Sequence, residues 1–244
     1  QRIEIASNDE VGRLATEFNA MLEALETSRL EQQRLVRDAG HELRTPLTAL
    51  RTNIELLGRT TSLTDLQRSE LISAAEAEVR DLSSLVGEVV DLASDRYTEG
   101  PIEDLLLDEI VVASVERAVR RFDVEMQIEA DPTPVQGRPA ALSRAVDNLL
   151  DNAVKWGAED GSIEVHVSRG RVSVRDHGPG ITAADRDKVF DRFYRSATAR
   201  SLPGSGLGLS IVKQVVDAHG GAVFVEPADG GGAIVGFVLP SPEP

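Results

Sequence analysis

The first hundred residues carry apolar positions at helical spacing. Near the amino end these positions alternate four and three residues apart, as in a coiled coil: Leu14, Phe18, Met21 and Leu25. A second set then continues the pattern: Leu35, Ala39, Leu43, Leu47, Leu50, Ile54 and Leu57. This spacing predicts one amphipathic helix from Asp9 to about Leu57, with the stripe facing inward.

A second helix is predicted after a break near residues 59–63. Thr64 and Gln67 have the spacing of a capping box, in which each side chain bonds the backbone N–H of the other residue. The apolar stripe that follows alternates three and four residues apart: Ile72, Ala75, Val79, Leu82, Val86, Val89 and Ala93, widened by Leu71, Leu85 and Leu92. Because two helices bury such wide stripes poorly, we expect a homodimer whose two hairpins form a four-helix bundle.

The pattern changes beyond residues 97–101, a stretch with Gly and Pro that indicates a linker. Helices are predicted near 108–121, 139–155, 183–190 and 208–219. Strands are predicted near 124–129, 163–167, 172–176, 222–225 and 233–239, the second and third forming a hairpin around Arg169 and Gly170. The expected fold class is therefore α+β, a helical hairpin followed by an α/β sandwich.

Composition narrows the function classes. With 244 residues, of which 41% are hydrophobic, the chain has room for about two domains with real cores. A formal net charge of −15 argues against direct binding to nucleic acid or to an anionic membrane surface, because both repel an acidic protein. Without Cys there is no disulfide framework, which fits a reducing cytoplasm. No apolar run reaches membrane-spanning length, so we expect the cytoplasmic part of a longer protein.

One histidine of the first helix has neighbours that suit phosphoryl chemistry. His41 lies beside the apolar stripe and is followed by Glu42, Thr45 and Pro46. Proline cannot donate a backbone N–H and crowds the carbonyl four residues earlier, so we expect a kink just after the histidine. An accessible imidazole can act as a nucleophile, and a neighbouring carboxylate can orient the ring or take its proton. Taken alone, these residues fit a solvated surface histidine more often than a reactive one.

Five motifs in order along the chain change this interpretation. Residues 41–47 read HELRTPL, 148–156 read NLLDNAVKW, 176–180 read DHGPG, 190–195 read FDRFYR and 204–209 read GSGLGL. They resemble the H-box, N-box, first glycine box, F-box and second glycine box of sensor histidine kinases. Each motif is common singly, but all five in this order are not expected by chance. Residues 8–25 also resemble the second half of a HAMP linker, with a plain coiled-coil extension as the alternative.

The resemblance implies a Bergerat-type ATP-binding domain, in which a mixed sheet packs against three helices, with ATP and Mg²⁺ as cofactors. Asn148, Asn152 and Lys155 occupy one helix face at positions i, i+4 and i+7. By the same resemblance, Asn152 would bind Mg²⁺ and Asn148 would support the metal, since amide oxygens are ligands of the hard type that Mg²⁺ prefers. Lys155 would meet phosphate oxygens as a point charge.

The adenine and phosphate contacts are assigned in the same way. Asp176 would accept a hydrogen bond from the adenine amino group, although an ordinary Asp-Gly turn is the alternative for this motif alone. Trp156 stands where the family often has Tyr or Phe, and it would either stack on adenine or fill the core. Residues 195–203 should form a lid over the triphosphate. The further implied nucleotide contacts are Gly178, Gly180, Phe193, Arg195, Gly204, Gly206, Leu207 and Gly208. Of these, Gly204, Gly206 and Gly208 precede a predicted helix whose start suits phosphate.

The function implied is that of an ATP-dependent protein-histidine kinase. It would phosphorylate His41, with Glu42 as general base or orienting group, and pass the phosphoryl group to an aspartate of a response regulator. The spacing of Glu42 and Thr45 also resembles the family's phosphatase signature. Two alternatives stay open: an ATPase of the same superfamily that couples ATP to conformational change, and a catalytically silent scaffold.

The expected domain organisation follows from these motifs and breaks. It comprises a partial HAMP or coiled-coil linker (1–28), a dimerization and phosphotransfer domain (29–96), an interdomain linker (97–104), a catalytic ATP-binding domain (105–240) and a tail (241–244). We expect contact with the inner cell membrane only through amino-terminal segments that this sequence lacks.

Overall fold

The computed structural model describes residues 10–59, 64–93, 100–157, 162–196 and 204–241. The chain divides into two compact units between Val89 and Val90. Several predictions lie outside the described residues. They concern the start of the HAMP-like segment (1–9), the break at 60–63, part of the linker (94–99), most of the predicted lid (197–203) and most of the tail (242–244). No helix in the described ranges combines the length and apolar character needed to cross a lipid bilayer.

The first unit is a pair of long helices, as predicted. Helix α1 spans Glu10–Arg59 and helix α2 spans Asp65–Ala93. The capping box is confirmed: Thr64 N–H donates to Gln67 Oε1 at 3.1 Å, and Gln67 N–H donates to Thr64 Oγ1 at 3.3 Å. Pro46 lies inside α1, which continues through it as one helix. The kink at this position stays a prediction.

The apolar stripes of the first unit are only partly covered. Leu35, Ala39 and Leu85 are buried, between 3% and 6% exposed. Other stripe residues are about half exposed: Leu47, Ile54, Ile72, Val79 and Val86. A single hairpin therefore leaves a long apolar surface in contact with water.

The second unit is a mixed α/β domain. Its elements in chain order are β1 (Glu103–Leu106), α3 (Leu107–Phe122), β2 (Met126–Ala130), β3 (Pro134–Gly137), α4 (Pro139–Trp156), β4 (Ile163–Ser168), β5 (Arg171–Arg175), α5 (Gly208–Ala218), β6 (Ala222–Pro227) and β7 (Ala233–Val238). Five strands form one sheet in the order β2-β4-β5-β7-β6, in which only β2 and β4 are parallel. The predicted β4–β5 hairpin is confirmed.

The core of this unit lies between one face of the sheet and the three helices. Val165, Val174 and Val235 occupy one row across β4, β5 and β7, and each is at most 3% exposed. Helix α4 contacts both α3 and α5. The expected architecture, a mixed sheet packed against three helices, is confirmed.

Two features differ from the predictions. The helix predicted near 183–190 is wrong, because residues 183–192 form successive turns. Their backbone bonds mix three- and four-residue steps, and Asp185 uses its side chain to hold neighbouring groups rather than facing solvent from a helix. The sequence reading also missed strands β1 and β3, which pair antiparallel as a separate two-stranded sheet.

Candidate active site

The candidate phosphoacceptor lies on α1. His41 is exposed, Thr45 is exposed one turn later, and Glu42 is partly buried. Among the described residues, no hydrogen bond joins His41 to Glu42. Thr48 and Thr52 donate to carbonyls one turn earlier, whereas no such bond is formed by Thr45 in the described part of α1. The imidazole of His41 and the hydroxyl of Thr45 are therefore both open to an incoming group.

Helix α4 presents three predicted site residues beside its core face. Its buried positions are Ala141, Leu142, Ala145, Val146, Leu149, Leu150 and Ala153. Asn148 and Asn152 are partly buried and Lys155 is exposed. The Asn148 Nδ2 group donates to the Arg144 carbonyl at 2.9 Å. The amide oxygen of Asn148 is therefore turned toward the start of α5, where a Cβ built on Gly208 would lie 3.0 Å from it.

The acidic residues of α4 have a different partner. Arg117 on α3 contacts Asp147 at 2.9 Å, and Arg121 contacts Asp151 at 3.5 Å. Burial raises the pKa of Asp151 above its ordinary 3.8, although the Arg121 charge opposes this shift. These contacts join α4 to α3, so the two aspartates turn away from the side on which Asn148 and Asn152 lie.

A buried carboxylate follows β5. Asp176 is 3% exposed, and its Oδ1 accepts the N–H groups of Gly178 at 2.9 Å and Ala233 at 3.3 Å. Burial raises the pKa of Asp176 above 3.8, and the two N–H donors oppose the shift. Its second oxygen, Oδ2, accepts none of the hydrogen bonds formed among the described residues. This oxygen can therefore accept a hydrogen bond from a ligand.

Glycines let the backbone close tightly around this carboxylate. A Cβ on Gly178 would collide with the carbonyl oxygen of Trp156. Gly180 has a φ of +76°, and a Cβ there would lie 2.7 Å from the carbonyl oxygen of Gly232. These close approaches bring the first glycine box against both the end of α4 and the β6–β7 turn.

The sequence reading missed the contribution of the β6–β7 turn. Ala233 donates its N–H to the Asp176 carboxylate, and a Cβ on Gly232 would collide with the Asp176 carbonyl. Arg175 Nη2 donates to the Asp229 carbonyl at 2.7 Å and so holds the turn beside β5. The available sequence signal for this turn was the run of three glycines at 230–232. In the structure all three have positive φ.

The F-box and the second glycine box meet at one backbone hydrogen bond. Phe193 donates its N–H to the Gly206 carbonyl at 3.0 Å. Phe193 has a φ of +60°, which is uncommon for a residue with a bulky side chain. Gly204 lies so close to Lys155 that a Cβ would collide with the Nζ atom. This bond and this contact bring both boxes to the end of α4.

The remaining predicted positions divide into side-chain and backbone candidates. The side chain of Leu207 is fully buried, and its backbone N–H donates to Ser205 Oγ at 3.1 Å. Helix α5 begins at Gly208 without a side-chain cap, and the first N–H groups of a helix have no partner inside it. Trp156 is partly buried, with Lys155 Nζ 5.0 Å from its ring centroid. Arg195, the first residue of the predicted lid, is partly buried.

These residues fit a purine nucleotide bound with a divalent cation. Asp176 Oδ2 suits an exocyclic amine, and the uncapped start of α5 suits an anion. The amide oxygens of Asn148 and Asn152 are hard donors of the type Mg²⁺ accepts alongside phosphate oxygens. The described residues contain no cluster of three or more His, Asp or Glu side chains that could hold a metal by themselves.

Comparison with known proteins identifies the family. Residues 137–243 match the family model of histidine kinase-, DNA gyrase B- and HSP90-like ATPases, and residues 31–97 match that of the His Kinase A (phospho-acceptor) domain. A solved structure of the mycobacterial sensor histidine kinase MprB is 43% identical, with a TM-score of 0.53, covering 57% of this chain and 98% of that chain. The chain belongs to the sensor histidine kinases.

Further matches extend the similarity toward the amino end. Residues 1–27 match the HAMP domain model. The signal transduction histidine-protein kinase/phosphatase MprB of Mycobacterium leprae is 47% identical over 235 residues, covering 92% of this chain and 45% of that protein. The chain spans about half the length of the curated relatives it matches. Full-length ShkA, solved in complex with AMPPNP, is 26% identical with a TM-score of 0.54, over 87% of this chain and 46% of that one.

Proposed function

We propose that this sensor histidine kinase transfers the γ-phosphoryl group of ATP to His41 and then to an aspartate of a response regulator. The observation that carries the proposal is the buried Asp176, which has one oxygen held by two N–H groups and the other available to adenine. The exposed imidazole on α1 supplies the acceptor. Family membership supports both assignments.

Nucleotide binding uses side chains and backbone from four segments. Asp176 accepts the adenine amino group, and Trp156 packs on the purine face. The triphosphate is held by the start of α5 at Gly206, Leu207 and Gly208 and by the charges of Lys155 and Arg195. Phe193, Gly178, Gly180 and Gly204 shape the backbone around the ligand.

Asn152 and Asn148 would hold Mg²⁺ together with the phosphate oxygens. The ion supplies charge neutralisation on the triphosphate. Uncharged amides suit this task, because added carboxylates would repel the same phosphates. Phosphoryl transfer depends mainly on positioning and electrostatics, which these residues provide without a covalent step in the nucleotide domain.

At His41 one nitrogen attacks the γ-phosphorus. A nitrogen–phosphorus bond forms, the bond to the β,γ-bridging oxygen breaks, and ADP leaves with that electron pair. Glu42 takes or orients the proton on the other nitrogen. In the second step the phosphoryl group passes from the imidazole to a carboxylate of the regulator, and the histidine regains its neutral form.

The apolar surface left open on α1 and α2 supports a homodimer. Two copies of the hairpin bury this surface as a four-helix bundle. The match to the HAMP model supports attachment to a membrane through preceding segments of the whole protein. The acidic chain itself is proposed to bind neither nucleic acid nor an anionic lipid surface.

A second activity, dephosphorylation of the regulator, is favoured by one specific observation. Thr45 is exposed one turn from His41, and its hydroxyl is not used in a hydrogen bond back into the described helix. A free hydroxyl can position water against an acyl phosphate. The M. leprae relative is named a kinase/phosphatase.

The deciding experiment is incubation with γ-labelled ATP and Mg²⁺, followed by acid and alkali treatment of the protein. We expect label that is lost in acid and kept in alkali, since phosphohistidine has this stability. Nucleotide hydrolysis without label on the protein would favour the ATPase alternative. Failure to bind Mg–ATP would favour the scaffold alternative.

A further inference from the structure

Asp185 lies in the turn segment 183–192 and bonds residues on either side of that segment. Its Oδ1 accepts the Tyr194 hydroxyl at 2.7 Å, and its Oδ2 accepts the Thr182 hydroxyl at 2.8 Å. The backbone of Asp185 is also held, because its N–H donates to the Thr182 carbonyl at 3.0 Å. Its own carbonyl accepts the N–H groups of Lys188 and Val189, each at 2.9 Å. The carboxylate is thus fixed independently of Tyr194.

Three contacts fix the position of Tyr194. Its hydroxyl bonds Asp185, and its N–H donates to the Asp191 carbonyl at 3.2 Å. Its carbonyl oxygen lies against Gly206, where a Cβ would be only 2.9 Å away. The bond from Phe193 N–H to the Gly206 carbonyl joins the backbone just before Tyr194 to the second glycine box.

The negative charge of Asp185 strengthens its hydrogen bond with the Tyr194 hydroxyl. Hydrogen bonds from Tyr194 and Thr182 lower the pKa of Asp185 below 3.8, so the group is ionised at neutral pH. A charged acceptor makes a stronger hydrogen bond than a neutral one. A carboxylate would repel phosphate, so a favourable effect of Asp185 on ATP binding must be indirect, through the groups that it holds.

We propose that Asp185 is a positioning residue: by holding the Tyr194 hydroxyl, it fixes the backbone next to Arg195 and thereby places the Arg195 side chain on the phosphates. This role rests on the proposed kinase function. It explains why the F-box backbone accepts the left-handed conformation at Phe193, since the side chain of the next residue is anchored.

The test is a double-mutant cycle between Tyr194→Phe and Arg195→Ala. Binding of Mg–AMPPNP is measured by calorimetry on the full 244-residue chain. Tyr194→Phe should weaken binding about fivefold or more, because Arg195 is then no longer held in place before the ligand binds. In the Arg195→Ala background the same change should cost less than about twofold, because coupled residues are non-additive.

Two further variants separate positioning from loss of charge and from misfolding. Asp185→Asn should weaken Mg–AMPPNP binding in the same direction as Tyr194→Phe. Asp187→Asn removes the same charge two residues away, from an exposed side chain without a hydrogen bond in the described residues, and should leave affinity within about twofold. Scanning calorimetry identifies any variant whose affinity falls because the domain has unfolded, and Asp185→Asn then replaces Tyr194→Phe in the cycle.

The outcomes distinguish the two proposals. Equal losses from Tyr194→Phe in both backgrounds, or no loss in either, would overturn the role of Asp185 and leave the kinase function standing. A wild-type affinity in Arg195→Ala would contradict the phosphate contact of Arg195 and so overturn the role of Asp185, again without deciding against the kinase function. Equal effects of Asp185→Asn and Asp187→Asn would attribute the change to charge alone and also overturn the inference.

Discussion

His219, just after α5, accepts the backbone N–H of Arg138, just before α4, at 3.0 Å through Nε2. The other ring nitrogen, Nδ1, lies 2.7 Å from the Val215 carbonyl and donates to it. The imidazole is therefore neutral, with its proton on Nδ1. It joins the end of α5 to the start of the helix that carries Asn148 and Asn152.

Replacing this histidine should loosen the junction. His219→Phe keeps a ring but removes the acceptor of the Arg138 N–H, so we expect the nucleotide domain to lose about 1–2 kcal/mol of unfolding free energy. Scanning calorimetry measures this loss. The unfolding transition of the nucleotide domain is the one whose midpoint rises when Mg–AMPPNP is added. The control is His166→Phe at an exposed position on β4, expected to change stability by about 0.5 kcal/mol or less. Equal effects of both variants would contradict the role of His219.

Acidification should weaken nucleotide binding through Asp176. Because burial raises the pKa of this carboxyl above 3.8, the fold favours its neutral form, and protonation begins at a higher pH than for an ordinary Asp. In the proposed complex the carboxylate accepts the adenine amino group, whereas the protonated form would place a donor there. Affinity for Mg–AMPPNP should therefore fall as pH drops through the raised pKa.

The pKa of Asp176 can be read directly from its carboxyl ¹³C shift. We expect the transition in binding and the transition in this shift to coincide. Asp176→Asn lacks the titration and should bind weakly at every pH, since its amide N–H₂ opposes the adenine amino group. If the ¹³C shift of Asp176 changes with a midpoint at or below pH 3.8, the expected pH dependence is contradicted.

His41→Gln should abolish autophosphorylation. Affinity for Mg–AMPPNP should stay within about twofold of wild type, because the nucleophile does not belong to the nucleotide domain. Labelling with γ-labelled ATP and calorimetry measure the two properties. His166→Gln, at an exposed histidine of the second unit, should retain label. Label kept by His41→Gln would remove this residue from the mechanism.

Asn152→Asp should weaken productive nucleotide binding about tenfold or more, because a charge is placed beside the triphosphate and the metal. The measurement is the autophosphorylation rate at limiting ATP over a range of Mg²⁺ concentrations. Gln127→Glu makes the same kind of change at an exposed position on β2 and should behave as wild type. An unchanged rate in Asn152→Asp would count against the metal site.

Thr45→Ala should separate the two activities. Loss of the hydroxyl that positions water should slow dephosphorylation of the regulator on the order of 10-fold or more, while labelling of His41 stays within about twofold. Thr48→Ala removes a hydroxyl bonded to the Arg44 carbonyl and serves as the matched control. If Thr45 acts through helix structure instead, both activities should fall together.

Periodic patterns predicted most of the fold. The stripes of α1 and α2 and the capping box at Thr64 depend on residues a few positions apart, so local spacing was sufficient. The β4–β5 hairpin followed from alternation around Arg169 and Gly170. The helix predicted near 183–190 was wrong because the apolar residues there lack a stripe, and Asp185 bonds Thr182 and Tyr194 instead.

The candidate site, too, could be predicted only in part from the sequence. The motifs named Asn148, Asp176 and Gly206 from the sequence. They did not reveal Ala233, whose N–H reaches the Asp176 carboxylate from 57 residues further along the chain. Nor did they reveal β1 and β3, whose short mixed sequences pair about thirty residues apart.

The sequence by itself determined the helical hairpin, the order of the nucleotide motifs and the types of groups available for chemistry, because each depends on residue identity or local periodicity. Only the tertiary structure decided which oxygen of Asp176 stays available, how Tyr194 is anchored and which turn packs against Asp176. These depend on hydrogen bonds and close backbone approaches between distant segments, which arise only when the sheet and helices pack together.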